Sequence, residues 1–129
     1  MYLTNLKASK FRNLSSVEVI LGPDINVVYG DNAAGKSSLL ELIGYLISGR
    51  SFRTSKHGLL VSHDEEQLSA FGEFSNGFKL GVSFSKKSKV KNVRLNGKNV
   101  RTLSEVAGLY PVQVISPESY HLVDSGPLE

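Results

Sequence analysis

Apolar and polar positions alternate loosely over residues 2–11 (YLTNLKASKF), the period of a half-buried strand, and FRNL follows as a turn. Residues 17–21 (VEVIL) predict a second strand, closed by the turn chemistry of Gly22-Pro23-Asp24. Residues 25–29 (INVVY) read as a strand buried on both faces. The period then changes. Leu39, Leu40, Ile43, Leu46 and Ile47 recur at helical spacing, which predicts an amphipathic helix over 36–48 ended by Gly49. Residues 50–67 have the composition of a polar connection.

Two Asn-Gly pairs, 76–77 and 96–97, punctuate the next stretch. Such pairs favour the tight turns of hairpins, so 68–75, 78–85 and 90–95 predict an antiparallel β-meander within 68–101. Thr102 and Glu105 have the spacing of a capping box for a short helix up to Gly108. Residues 112–115 (VQVI) predict another strand, and Ser116-Pro117-Glu118 opens a helix with Pro at its first position.

At 129 residues, the chain is one domain or part of one. It has no Cys, which excludes disulfides, thiolate metal sites and a Cys nucleophile. Its three histidines (His57, His63, His121) lack the spacing of a zinc site. No apolar run approaches the ~18 residues of a membrane span, and no signal peptide is present, so a soluble cytoplasmic protein is expected. The net charge of +3 is mild, but residues 79–101 hold eight basic side chains and no acid. That clustering suggests a polyanionic partner.

Gly30-Asp31-Asn32-Ala33-Ala34-Gly35-Lys36-Ser37 matches G-x-x-x-x-G-K-S/T, the phosphate-binding P-loop, between a predicted strand and a predicted helix. Glycines allow the backbone to wrap a phosphate chain with its N–H groups pointing inward. The helix that follows offers unpaired N–H groups and the positive end of its dipole. Lys36 supplies an ammonium for the β- and γ-phosphates, Ser37 ligates Mg²⁺, and Ser38 lies beside them. ATP with Mg²⁺ is the expected ligand. Hydrolysis also needs a Walker B strand of about four aliphatics ending in an acid. Neither 59–65 (LLVSHDE) nor 121–124 (HLVD) fits, so no catalytic residue is assigned and the chain is expected to bind nucleotide without hydrolysing it efficiently.

Phe11-Arg12-Asn13-Leu14, the loop GDNAAGKSS, the block Gly49-Arg50-Ser51-Phe52-Arg53, Ser116-Pro117-Glu118 and Ser125-Gly126-Pro127, taken in register, resemble the RecF family of bacterial DNA replication and repair ATPases. That family is related to the heads of SMC and ABC ATPases. The resemblance covers essentially the whole chain, at the family's N-terminus. It implies an α/β P-loop NTPase head, lobe I, with an antiparallel β-subdomain at 68–101. It also implies a longer parent protein that is a weak DNA-dependent ATPase, dimerises around ATP, binds DNA at gaps or stalled forks, and works with RecR and indirectly RecO. Leu128-Glu129 is either a native end or an expression remnant. By the same resemblance Arg12 and Asn13 approach the nucleotide. Glu118, following strand 112–115, is a candidate Mg²⁺ ligand or simply an acid in a helix first turn; Gln113 is a poorer one.

Arg50 and Arg53 could meet a DNA phosphate or a solvated loop. Lys86, Lys87, Lys89, Lys91 and Arg94 could follow a DNA backbone, and Lys87, Lys89 and Lys91 would face one way on a continuous strand. The bland reading of these lysines is protection of an exposed strand edge. The competing function is a stand-alone basic DNA-binding module with a vestigial P-loop. A nucleotide kinase or GTPase is disfavoured, for lack of lid arginines and of an N/T-K-x-D motif.

Overall fold

The computed structural model describes residues 1–31, 35–101 and 112–115. Alternation of buried and exposed positions produces most of its strands. In β1 (Leu3–Phe11) Leu6, Ala8 and Phe11 turn inward, while Lys7 faces solvent. The two-residue turn Arg12-Asn13 joins β1 to β2 (Leu14–Ile20), with Phe11 opposite Leu14. The meander strands are β3 (Gln67–Phe74), β4 (Lys79–Ser85), β5 (Lys91–Leu95) and β6 (Lys98–Val100). Gly77 (φ 88°), Asn96 (φ 52°) and Gly97 (φ 81°) take the left-handed backbone that these tight turns require.

All pairs are antiparallel, in the order β2-β1-β3-β4-β5-β6. The meander is therefore continuous with the N-terminal hairpin: β3 pairs with β1, Ala8 opposite Ala70, and one six-stranded sheet results. The connection at 50–67 is more ordered than its polarity suggests. It contains a 3-10 turn at His57–Leu60, and Val61 bridges to Phe11.

The helix α1 (Lys36–Ser48) lies on one face of this sheet. Gly49 ends it at φ 71°, its N–H donating to the Tyr45 carbonyl at 2.8 Å. The side chains it buries are Leu42, Tyr45, Leu46 and Ile47, together with Ser38 and Glu41. They meet Leu6, Phe11, Leu60, Leu68, Leu80, Val82 and Phe84 in a single core.

Two predicted strands do not form. Residues 25–29 and 112–115 pair with nothing among the described residues, and their side chains are largely exposed, Ile25 at 88% and Ile115 at 83%. An apolar run states a demand for burial, but a strand buried on both faces needs neighbours on both edges. The sheet here is antiparallel and takes its strands from elsewhere. A groove of about 830 Å³ lined by Leu40, Ile43, Gly44, Phe52 and Val114 runs between α1 and the 112–115 segment. The helices expected near Thr102 and after Ser116 lie outside the described residues.

Beneath the sheet His57 packs between Tyr45 and Phe84. Its Nδ1 lies 3.2 Å from the Tyr45 hydroxyl, and its ring stacks on Phe84 with centroids 5.4 Å apart. Burial, and then the Lys91 ammonium, hold its pKa below the usual histidine value; burial pushes the Tyr45 hydroxyl up to about 12. The folded state thus binds the His57 proton less readily than the unfolded chain does. Stability should be insensitive to this group above pH ~6.5 and fall as pH drops from there to the lower folded value. Thermal melts between pH 8 and pH 5 should show a declining Tm that flattens in His57→Asn; an unchanged slope in the variant would remove His57 as the cause.

Candidate nucleotide-binding site

The site assembles where β1 ends and α1 begins. Gly30 has φ 155°, Asp31 is exposed, and Asn32, Ala33 and Ala34 lie outside the described residues. Gly35 stands at the N-cap of α1 with φ 104° and ψ 13°, a conformation closed to side chains without strain. A Cβ there would lie 2.9 Å from Leu14 Cδ2 and 3.4 Å from Asn13 Nδ2. The Lys36 ammonium donates to the Gly30 carbonyl and so ties the two ends of the loop together. Ser37 is exposed and Ser38 is buried.

Arg12 reaches the same place from the β1–β2 turn. It is one of few non-glycine residues with positive φ, at 49°. Its backbone N–H donates to the Leu60 carbonyl at 2.7 Å, and its carbonyl accepts from the Ser62 hydroxyl at 2.6 Å. Both neighbours come from the 50–67 connection, which thereby fixes an otherwise costly conformation. Arg12, Asn13, Gly35, Lys36, Ser37, Ser38 and Arg53 line a cavity of about 410 Å³. That volume suits a phosphate-bearing small molecule. Three cations and a helix N-terminus, with no carboxylate among the described lining residues, select for an anion.

Among the described residues Ser37 and Ser38 bring hydroxyls to this wall, and Ser37 is the exposed one. Mg²⁺ keeps most of its waters and takes its remaining ligands from phosphate oxygens, so an exposed hydroxyl such as that of Ser37 fits that ion and would not suffice for a protein-only metal site. Among the described residues no cluster of three acids or histidines exists to hold a metal. Glu118 lies outside the described residues.

The basic residues expected to meet DNA occupy different places in the fold. Arg53 lines the phosphate cavity, whereas Arg50 is exposed. Lys86, Lys87 and Lys89 sit in the turn between β4 and β5, where Lys89 takes φ 56° and donates its N–H to the Ser85 carbonyl at 2.8 Å. Pairing stops at that turn, so the expected row of Lys87, Lys89 and Lys91 is broken. Lys91 shares the inner face of β5 with buried Val93 and donates to the Gly49 carbonyl at 3.2 Å, next to the C-terminus of α1. Its pKa is lowered by burial and by Arg50. Arg94 is on the opposite, exposed face, with Nε donating to Asn99 at 3.1 Å.

Glu41 was not visible as a functional residue in the sequence. It is fully buried on α1 and accepts from Arg12 Nε at 2.5 Å and Arg12 Nη2 at 3.0 Å, and from the Ser51 hydroxyl. Arg53 Nη1 lies 3.7 Å from its Oε1. A charged residue on the face that carries Leu42 and Tyr45 was the available signal.

A family model described as AAA ATPase domain matches residues 1–113. The DNA replication and repair protein RecF of Pseudoalteromonas translucida is 40% identical over the whole chain, and that of Marinobacter nauticus 39% identical over 98% of it. The chain spans 36–37% of the length of these two relatives. Among solved structures, the recombination mediator protein RecF-ATP superposes with a TM-score of 0.85 at 32% identity, over 95% of this chain and 34% of its own. A structure from work on ATP-driven dimerisation and DNA-stimulated activation of SMC ATPases superposes with a TM-score of 0.76 over 97% of this chain and 98% of its own. At 16% identity it speaks for the fold alone. The fold is that of a P-loop ATPase head with an antiparallel sheet. No helix among the described residues is long and apolar enough to cross a membrane.

Proposed function

The chain belongs to the AAA ATPase domain family, and from that premise we propose that it is the ATP-binding lobe of a RecF-type DNA repair ATPase. The observation that carries this reading is the cavity at the N-terminus of α1, walled by Arg12, Lys36 and Arg53 around Gly35. ATP enters with its β- and γ-phosphates against the helix N–H groups and the Lys36 ammonium, which leaves the Gly30 carbonyl for them. Asp31, Asn32, Ala33 and Ala34 complete the loop in this reading. Mg²⁺, when bound, neutralises phosphate charge; Ser37 would hold it on the protein side, with Glu118 a second candidate. Arg12 and Asn13 approach the nucleotide from the β1–β2 turn.

Efficient hydrolysis belongs to the longer protein, because neither 59–65 nor 121–124 has the aliphatic run and acid of a Walker B strand. The exposed runs 25–29 and 112–115 are the edges on which the remaining length of a RecF-type head would pair. In that protein the lobe takes part in ATP-dependent dimerisation, acts in the cytoplasm with RecR and indirectly RecO, and helps load recombinase at gaps and stalled forks. Arg50, Lys86, Lys87, Lys89 and Arg94 carry the DNA contact in this reading; Arg53 and Lys91 are committed to the cavity wall and to Gly49.

Titration of a fluorescent ATP analogue with Mg²⁺ tests the proposal. Saturable binding is expected, weakened roughly ten- to a hundredfold in Lys36→Ala by loss of a charge-assisted hydrogen bond. The same samples in a DNA gel shift at two salt concentrations separate the alternative. Salt-steep DNA binding that ATP does not alter, with no nucleotide binding by either protein, would make this a basic DNA module with a vestigial loop.

A further inference from the structure

We propose that Glu41 is a positioning residue for the nucleotide site, setting its affinity by holding Arg12 and the 51–53 loop at the cavity wall. This rests on the reading of that cavity as a nucleotide site. Glu41 lies outside the phosphate-loop motif and does not line the cavity, yet two of the residues it holds do. Burying a carboxylate away from water is costly unless cations and hydrogen bonds replace its hydration, and Glu41 has no exposure to water. Here Arg12 supplies two parallel N–H bonds, Ser51 a hydroxyl, and Arg53 a second guanidinium at 3.7 Å.

The partners come from segments far apart in the chain, and each is shaped by the contact. The bidentate bond fixes the plane of the Arg12 guanidinium, whose side chain remains 23% exposed, beside a backbone already held by Leu60 and Ser62. Ser51 donates its hydroxyl to Glu41 and accepts the backbone N–H groups of Arg53, at 2.9 Å, and Thr54, at 3.2 Å. Glu41 therefore fixes the turn from which Arg53 projects. Arg53 is the looser of the two guanidiniums, 42% exposed, and free to lean toward a phosphate while its backbone stays in place. A flexible lysine or arginine loses rotamer freedom on meeting a ligand, and prior anchoring removes much of that loss.

A double-mutant cycle on the Kd of the ATP analogue tests this, with far-UV circular dichroism to confirm folding. Glu41→Gln keeps the volume and removes the charge, and should weaken binding about tenfold. In an Arg12→Ala background the same change should add less than about twofold, because the effect passes through Arg12. A buried pair that served stability alone would lower Tm and leave this coupling at zero. Folded Glu41→Gln with unchanged Kd, or losses that multiply in the double variant, would overturn the proposal. Should Glu41→Gln not fold, Ser51→Ala releases the same turn and should weaken binding roughly threefold; an unchanged Kd there overturns the proposal as well. If Lys36→Ala abolishes binding while Glu41→Gln retains it, only the positioning role fails. Absence of saturable binding by the unsubstituted chain rejects both readings.

Discussion

Gly72→Val should lower the Tm of this protein by about 10 °C, a loss of roughly 2–3 kcal/mol from overpacking. Gly72 lies in β3 beneath α1, opposite Leu6 on one side and Leu80 on the other. A Cβ at this position would fall 2.6 Å from Leu46 Cδ2 and 2.9 Å from Leu3 Cδ1. Leu46 is fully buried, so its methyl cannot swing into solvent to make room. Relief must come from lifting the helix or shearing β3 against β1, and either move opens the core around Leu42 and Tyr45. Gly81 provides the matched control. It lies in the next strand, opposite Phe71, and its added Cβ would come no nearer than 4.0 Å to a backbone oxygen. Gly81→Thr should leave Tm unchanged or raise it slightly, since glycine weakens a strand interior. Melts of both variants by circular dichroism decide the matter. Equal Tm values would show that close approach of helix and sheet at Gly72 is not what holds α1 in place.

The helix, the hairpin turns and the phosphate loop were legible because each is encoded locally. The bounds 36–48 followed from the glycine at each end and from apolar spacing, and Asn76-Gly77 needed only its own backbone preferences. What the sequence could not carry is who pairs with whom across long separations. β3 inserts beside β1, some 60 residues earlier in the chain, and nothing in either strand names the other. The run at 25–29 has the composition of a central strand and lies exposed, because composition expresses a preference for burial and the partner must be supplied by other residues. Glu41 shows the same limit at the site. In sequence it is an ordinary helical glutamate between two leucines, and only the fold brings Arg12, 29 positions away, onto it. The lysines at 86–91 misled for the opposite reason. Parity arguments assume unbroken pairing, and the left-handed turn at Lys89 ends it.

Gly35→Ala should reduce affinity for nucleotide at least a hundredfold while shifting Tm by only a few degrees, the reverse of the Gly72 pattern. At φ 104° an alanine is strained by roughly 1–2 kcal/mol, and its Cβ meets Leu14 Cδ2 at 2.9 Å and Asn13 at 3.4 Å. Asn13 belongs to the turn that carries Arg12 and Leu14 opens the strand that follows it, so the loop cannot relax without displacing the arginine side of the cavity. The Gly35 carbonyl also accepts the first hydrogen bond of α1, from the Leu39 N–H at 2.9 Å. Rotating the residue out of the left-handed region would therefore redirect the N–H groups that open the helix, and those are the groups a phosphate requires. Losing one or two hydrogen bonds to a charged group accounts for the magnitude. The core around Leu42 and Leu46 begins two turns further along and is spared, which is why stability should fall little. Isothermal titration with ATP and Mg²⁺ beside a melt of the same sample checks both halves. A Kd within threefold of the unsubstituted protein would mean that the phosphate is gripped by Lys36 and the arginines alone, and that the glycine serves only the entry into the helix.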